Sequence, residues 1–92
     1  MSKKTLPDNE GMLFIFNDES HHSIWMMKMS FSIDIIWVNK NLEIVDIAED
    51  AQPCKLNCPI YKPDDKASYV LEVNSGFAKK NKLQSGDTIT IS

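Results

Sequence analysis

The alternation in SFSIDIIWVN constrains the fold more than any other stretch of the chain. Phe31, Ile33, Ile35 and Trp37 fall at every second position, interleaved with Ser32, Asp34 and Ile36. A spacing of two sends alternate side chains to opposite faces of an extended backbone, so the segment reads as a strand. A strand needs hydrogen-bonded neighbours, and the flanking sequence offers them. Asn39-Lys40-Asn41 is a tight-turn signal, and Leu42 to Ile47 sets Leu42, Ile44 and Ile47 against Glu43 and Asp46, as the returning arm of a hairpin. Upstream, Met12 to Phe16 is a short apolar run between Gly11 and the turn cluster Asn17-Asp18-Glu19-Ser20, and it reads as a buried strand.

Downstream, Ser68 to Val73 sets Tyr69, Leu71 and Val73 against Ser68, Val70 and Glu72, a strand with both faces partly covered. Asn74-Ser75-Gly76 offers an N-cap for a helix of about two turns with Phe77 and Leu83 facing inward. Ser85-Gly86-Asp87 then turns the chain into a final strand, Thr88 to Ile91. His21 to Met29 fits a helical turn or an irregular strand, since methionine and tryptophan favour neither period. Glu49 to Lys66 holds three of the four prolines and both cysteines, and is expected to be an exposed, restricted loop. The class these segments predict is mainly β (α+β): a small compact β-barrel or sandwich-like domain with one short helix near residues 76–82.

Ninety-two residues, 42% of them hydrophobic and 25% charged, suit one domain, 1–92, with one modest core. Every basic residue is lysine and the formal charge is -3. Without the bidentate guanidinium fork that grips phosphate, nucleic acid is not expected as a partner. No apolar run approaches the roughly 20 residues of a membrane-spanning helix, so no span is expected. The first residues lack the apolar segment of a signal peptide.

Cys54 and Cys58 are the only cysteines, four apart between prolines. The spacing admits a short-loop disulfide if the α-carbons come within about 7 Å. It also admits a metal site completed by His21, His22 or carboxylates, a reactive thiol pair beside Lys55, or two buried free thiols. No cofactor is predicted; a metal stands only as the alternative at the cysteines. Asp34 lies within an apolar strand, where an ionised carboxylate needs a partner. One reading has it capping backbone amides and holding the Trp25 loop. The other has it orienting a ligand or acting as an acid or base with Glu49 or Glu72. Trp25, Met26, Met27 and Met29 are soft, polarisable core fillers, but an indole beside polar groups also holds sugar rings and amphipathic ligands. Adjacent His21 and His22 point to opposite faces of a strand and are expected to be solvent exposed. Tyr61 and Tyr69 either wall a pocket floored by Trp25 or cover the edge of the core. No P-loop, dinucleotide fingerprint or nucleophile elbow is present.

The strings GMLFIF (Gly11 to Phe16), IWM (Ile24 to Met26), SIDIIWV (Ser32 to Val38), AQPC (Ala51 to Cys54), CPIY (Cys58 to Tyr61), YVLEVNSGFAKKN (Tyr69 to Asn81) and the closing SGDTI match the prokaryotic domain of unknown function 192 family in order and spacing. The chain resembles that family from about Leu6 to Ile91. The resemblance implies a compact, mostly β fold with a short helix and no established reaction. Relatives usually begin with a further strand ahead of the match to Leu6-Pro7, which implies an open edge here for strand exchange, a homodimer or a partner chain. Met27 stands where the family commonly has lysine, and Ser32 where it has proline. Many relatives carry an export signal or anchor; with the cysteine pair, this favours an extracytoplasmic compartment.

The expected function is therefore a non-enzymatic binding or accessory domain for a small molecule, carbohydrate first, or for a protein segment. Its surface would comprise Trp25, Met26, Asp34, Glu49, Tyr61, Tyr69 and Glu72, with Cys54 and Cys58 as a disulfide or metal candidate. The alternatives are a metal- or thiol-redox-dependent protein using the cysteines, and a structural subunit completed by strand exchange.

Overall fold

The computed structural model describes residues 11–27 and 29–90. Its elements in chain order are β1 (Gly11–Ser20), β2 (Ile24–Trp25), β3 (Ile33–Val38), β4 (Ile44–Ala51), β5 (Ile60–Tyr61), β6 (Ala67–Asn74) and α1 (Phe77–Lys80). Four strands form an antiparallel sheet in the order β1-β6-β3-β4, and β2 pairs with β5 in a separate ribbon. The mainly β class with one short helix holds. The sheet is open rather than closed into a barrel, because β1 and β4 are its edges and do not pair with each other. The remaining two strands cover a face of the sheet instead of completing a ring.

All six residues of β3 are buried. Ile33, Ile35 and Trp37 join Met26, Ala51, Ala67 and Val70 on one face, where Ile24 and Tyr61 of the ribbon pack down. Ile36 and Val38 join Ile44 and Val73 on the other, covered by Phe77, Leu83 and Ile89. The layers are thus ribbon, sheet, then helix with C-terminal segment. A central strand covered on both sides carries apolar residues at successive positions, which is why Ile35 and Ile36 are adjacent. Each fully buried isoleucine contributes roughly 1.5–3 kcal/mol of apolar burial. Gly11 lies opposite Val73, and a β-carbon there would come 2.7 Å from Val73 Cγ1 and 2.8 Å from the Glu72 carbonyl oxygen. Only glycine fits that approach without a shift of β1.

Several boundaries differ from expectation. β1 runs on through Asn17-Asp18-Glu19, read above as a turn, to pair Ser20 with Ala67 after a register shift. Polar side chains are tolerated because β1 is an edge strand. The Glu19 carboxylate accepts bonds from Lys40 N at 2.8 Å and Ser68 Oγ at 3.3 Å, tying this edge to the β3–β4 turn and to β6. In that turn Asn39 Oδ1 accepts from Asn41 N and Glu43 N, and Leu42 takes a left-handed φ of 63°. The returning strand consequently begins at Ile44 and runs on to Ala51.

The helix has one turn, not two. Lys82 at φ 55° ends it with bonds from Lys82 N to Lys79 O and from Leu83 N to Ala78 O, the Schellman arrangement. Phe77 and Leu83 both face the core, as their spacing predicts. The final strand reduces to a bridge between Glu43 and Thr88, with Ile89 N bonding Leu42 O. Ile91, the expected end of that strand, lies outside the described residues. The stretch expected to be an exposed loop contains β5 and the buried Pro63.

Candidate functional site

The ribbon has two unlike faces. Ile24 and Tyr61 are register partners and both pack into the core; Trp25 and Ile60, the next pair, point away from it. Trp25 is 58% and Ile60 66% exposed. Chain continuity leads from β2 through Met26, fully buried, to Met27, which bridges to Cys54. There Cys54 and Cys58 meet as a disulfide with Cα atoms 5.5 Å apart, closing a loop whose Leu56 is 79% exposed. Both cysteine sulfurs are used in that bond, and among the described residues no three His, Cys, Asp or Glu side chains converge as metal ligands. Trp25 and Ile60 thus stand on the outer face of the ribbon, and exposed Leu56 sits in the disulfide loop that the Met27–Cys54 bridge ties to the end of β2.

A loop this short loses about 2 kcal/mol of chain entropy from its unfolded form on closure. Replacing both cysteines by serine is expected to lower stability by about that amount, read as a reduced denaturation midpoint with unchanged slope. A larger loss with a changed slope would mean that the disulfide holds more than its own loop.

Asp34 sits elsewhere. It is fully buried on the helix side of the sheet, where Oδ1 accepts from Asp50 N at 2.8 Å and Oδ2 from Gly76 N at 3.2 Å and Ala78 N at 2.9 Å. The carboxylate caps backbone amides, one of the two readings of its sequence. The amides belong to the end of β4 and the start of α1, not to the Trp25 loop. Gly76 at the helix N-cap supplies no side-chain bond, so Asp34 takes the part expected of Asn74 or Ser75. Ser75 Oγ instead donates to Asp50 Oδ1 at 2.6 Å.

Glu72 is buried on the opposite face, between its cross-strand partners Met12 and Ile35, and its Oε1 has no hydrogen-bond partner among the described residues. Burial raises its carboxyl from 4.5 to about 7. Glu49 is exposed on β4. The structure thus does not bring Asp34 together with Glu72 as an acid–base pair, since the sheet stands between them. Tyr61 and Tyr69 are likewise separated, Tyr61 packing under the ribbon and Tyr69 under the helix side, and Trp25 floors no pocket between them. A cavity of about 120 Å³ is lined by Asn74, Ser75, Gly76, Phe77 and Lys80, remote from the candidate residues of the ribbon.

Ile60 and Leu56 are not among the residues the sequence singles out. The signal lies in the Cys-Pro-Ile-Tyr string, where an isoleucine next to a core tyrosine on a two-residue strand must face the other way. His22, expected to be exposed, stacks on Phe16 with ring centroids 3.7 Å apart, while His21 is exposed. Trp37 Nε1 donates to His22 O at 2.7 Å and anchors the chain entering β2.

An open, mainly antiparallel sheet with a disulfide-tied ribbon over one face and a single helical turn over the other defines the class. The chain belongs to the domain of unknown function 192 family (DUF192, uncharacterized ACR), whose model matches residues 1–91. Two solved structures share the fold with TM-scores of 0.87. One, from Sinorhizobium meliloti 1021, is described as a "putative transcription regulator" and is 27% identical, with 96% of this chain matching 67% of that one. The other, from Novosphingobium aromaticivorans DSM 12444, is a protein of unknown function and is 26% identical, with 99% of this chain matching 64% of that one. This chain therefore spans about two thirds of the length of each. No curated protein matches it. Among the described residues no helix is long and apolar enough to cross a membrane.

Proposed function

We propose that this chain is a non-enzymatic binding domain that engages its partner through the outer face of the β2–β5 ribbon and the disulfide loop. The observation that carries this is the Trp25–Ile60 pair. Two large apolar side chains stand side by side in solvent on a strand pair whose inner face, Ile24 and Tyr61, packs against the core. Exposed apolar residues are ordinary singly, but grouped on a braced element they mark a contact surface. The buried carboxylate of Asp34 caps backbone amides on the helix side, and neither it nor Glu72 is part of this surface.

The chain's two tryptophans make a direct test available, because Trp37 is buried and Trp25 is not. Acrylamide quenching in wild type reports Trp25, and three probes are titrated: a set of oligosaccharides, an acidic peptide and phospholipid vesicles. Protection of Trp25 by one probe, with binding weakened about tenfold in Trp25→Ala and the melting temperature unchanged, is the expected result. If none of the three protects the indole, the surface is not a binding site.

A further inference from the structure

The ribbon surface differs in charge from the rest of the molecule. In sequence, the segments 20–33 and 51–63, within which the ribbon and the disulfide loop fall, contain Lys28, Lys55 and Lys62 and no aspartate or glutamate. The remainder of the chain holds all thirteen acids against the other seven lysines. In a protein of net charge -3, the segments that carry the ribbon and the disulfide loop are thus cationic and the remainder of the chain strongly anionic. Lys55 and Lys62 are exposed, Lys55 next to Leu56 in the disulfide loop and Lys62 two residues from Ile60 on the ribbon. Of the acids flanking these stretches, Asp18 lies 3.3 Å from His22 Nε2 at the entry to β2, Glu19 accepts from Lys40 N and Ser68 Oγ, Asp34 is buried on the helix side, and Asp50 turns to the helix side, where it accepts from Ser75 Oγ. Asp64 follows β5 at the end of the ribbon away from the disulfide and bonds through its backbone N to Asp46 Oδ2.

Resting on the binding surface proposed above, we infer that its partner is an anionic phospholipid bilayer, against which the chain docks peripherally with Trp25, Leu56 and Ile60 entering the interface. The argument combines three features. The apolar side chains project, with more than half of each in solvent, and none of them lines the cavity found in the structure. Projecting groups suit a soft planar surface, whereas a small ligand needs a concavity. An indole and aliphatic side chains with lysines around them match the layered chemistry of a membrane interface, in which the aromatic ring sits at headgroup depth and the ammonium groups reach anionic headgroups. The anionic body is then held away from the negative surface, so the charge asymmetry orients the molecule as well as attracting it. An acidic peptide satisfies the lysines but leaves the projecting Leu56 without a defined seat.

Co-sedimentation of the full chain with phosphatidylcholine vesicles, with and without phosphatidylglycerol, tests this. Binding is expected to the phosphatidylglycerol vesicles only, with a blue-shifted Trp25 emission and loss at high salt. Lys55→Glu with Lys62→Glu is expected to weaken partitioning by more than about tenfold. Trp25→Ala with Ile60→Ser is expected to weaken it by about tenfold. All four positions are exposed, so circular dichroism and melting temperature should match wild type. No binding to either vesicle, equal binding to both, or binding unchanged in either double variant overturns the bilayer assignment. Protection of Trp25 by an oligosaccharide or acidic peptide in the absence of vesicle binding would remove the bilayer and leave the contact surface standing.

Discussion

Asp34→Ala is expected to lower unfolding free energy by about 3–5 kcal/mol, the largest effect of any single change at the candidate residues. Three backbone N–H groups, at Asp50, Gly76 and Ala78, converge on this carboxylate, and Asp34 itself is fully buried. Alanine removes the acceptor from all three: the buried Ala78 N–H left unpaired costs about 1–3 kcal/mol, and the partly buried Asp50 and Gly76 N–H groups, which water can reach, add about 1 kcal/mol each. For a chain of this length the melting temperature should fall by more than about 10 °C. Asparagine at this position would be no remedy, because Oδ2 accepts two bonds and an amide supplies one acceptor oxygen and a misplaced donor. Asp34→Asn is expected to cost about 2–3 kcal/mol. Thermal unfolding of both variants decides the matter. A shift of a few degrees or less in Asp34→Ala would mean that the amides find other partners and that the carboxylate is free for another task.

Glu72 should make stability depend on pH in the direction opposite to that of an ion-paired carboxylate. Its carboxyl titrates near 7 in the folded chain against 4.5 when solvated, because burial between Met12 and Ile35 disfavours the charged form. The folded state therefore holds the proton more tightly than the unfolded state. Below pH 4.5 both states are protonated and the full stability is present. Between 4.5 and 7 the unfolded chain has lost the proton while the folded chain keeps it, so stability falls as pH rises, and above 7 it levels off. The span corresponds to about 3 kcal/mol. Glu72→Gln keeps the shape and removes the charge, so the variant should equal wild type near pH 4.5 and exceed it by up to about 3 kcal/mol at about pH 8. Urea midpoints at a series of pH values measure the difference directly. A difference independent of pH would show that Glu72 is ionised or well solvated in the folded protein.

What the sequence discloses follows from where two-residue periodicity survives. β3 and β6 are central, their faces are set by packing, and the alternation of Ile33, Ile35 and Trp37 places each correctly. Edge and ribbon strands escape that logic. The polar half of β1 resembles a turn because an edge strand need not bury its side chains, and two-residue β2 and β5 are too short to display a period at all. The helix end is hidden for another reason. Lys82 adopts a left-handed conformation that no residue type advertises except glycine or asparagine. For the candidate site, Trp25 and the cysteine pair are legible from composition alone. The split between Asp34 and Glu72 is not, since it depends on pairing Ile35 with Glu72 and so setting Asp34 on the other face. Leu56 and Ile60 fall in a stretch that reads as an exposed loop, and only the pairing of Ile60 with Trp25 sets Ile60 apart as part of a surface.

The bonds to Asp34 also order events in time. A helix of four residues has no stability of its own, since nucleation alone outweighs a single turn of hydrogen bonds. Its first amides are held by a carboxylate 42 and 44 positions earlier in the chain, and that carboxylate is in place only once β3 is seated between β4 and β6. The helical turn must then be a late product of folding, present only after the sheet that supplies its cap. Its amides should exchange with solvent before those of β3, and changes within it should speed unfolding while leaving the folding rate nearly untouched.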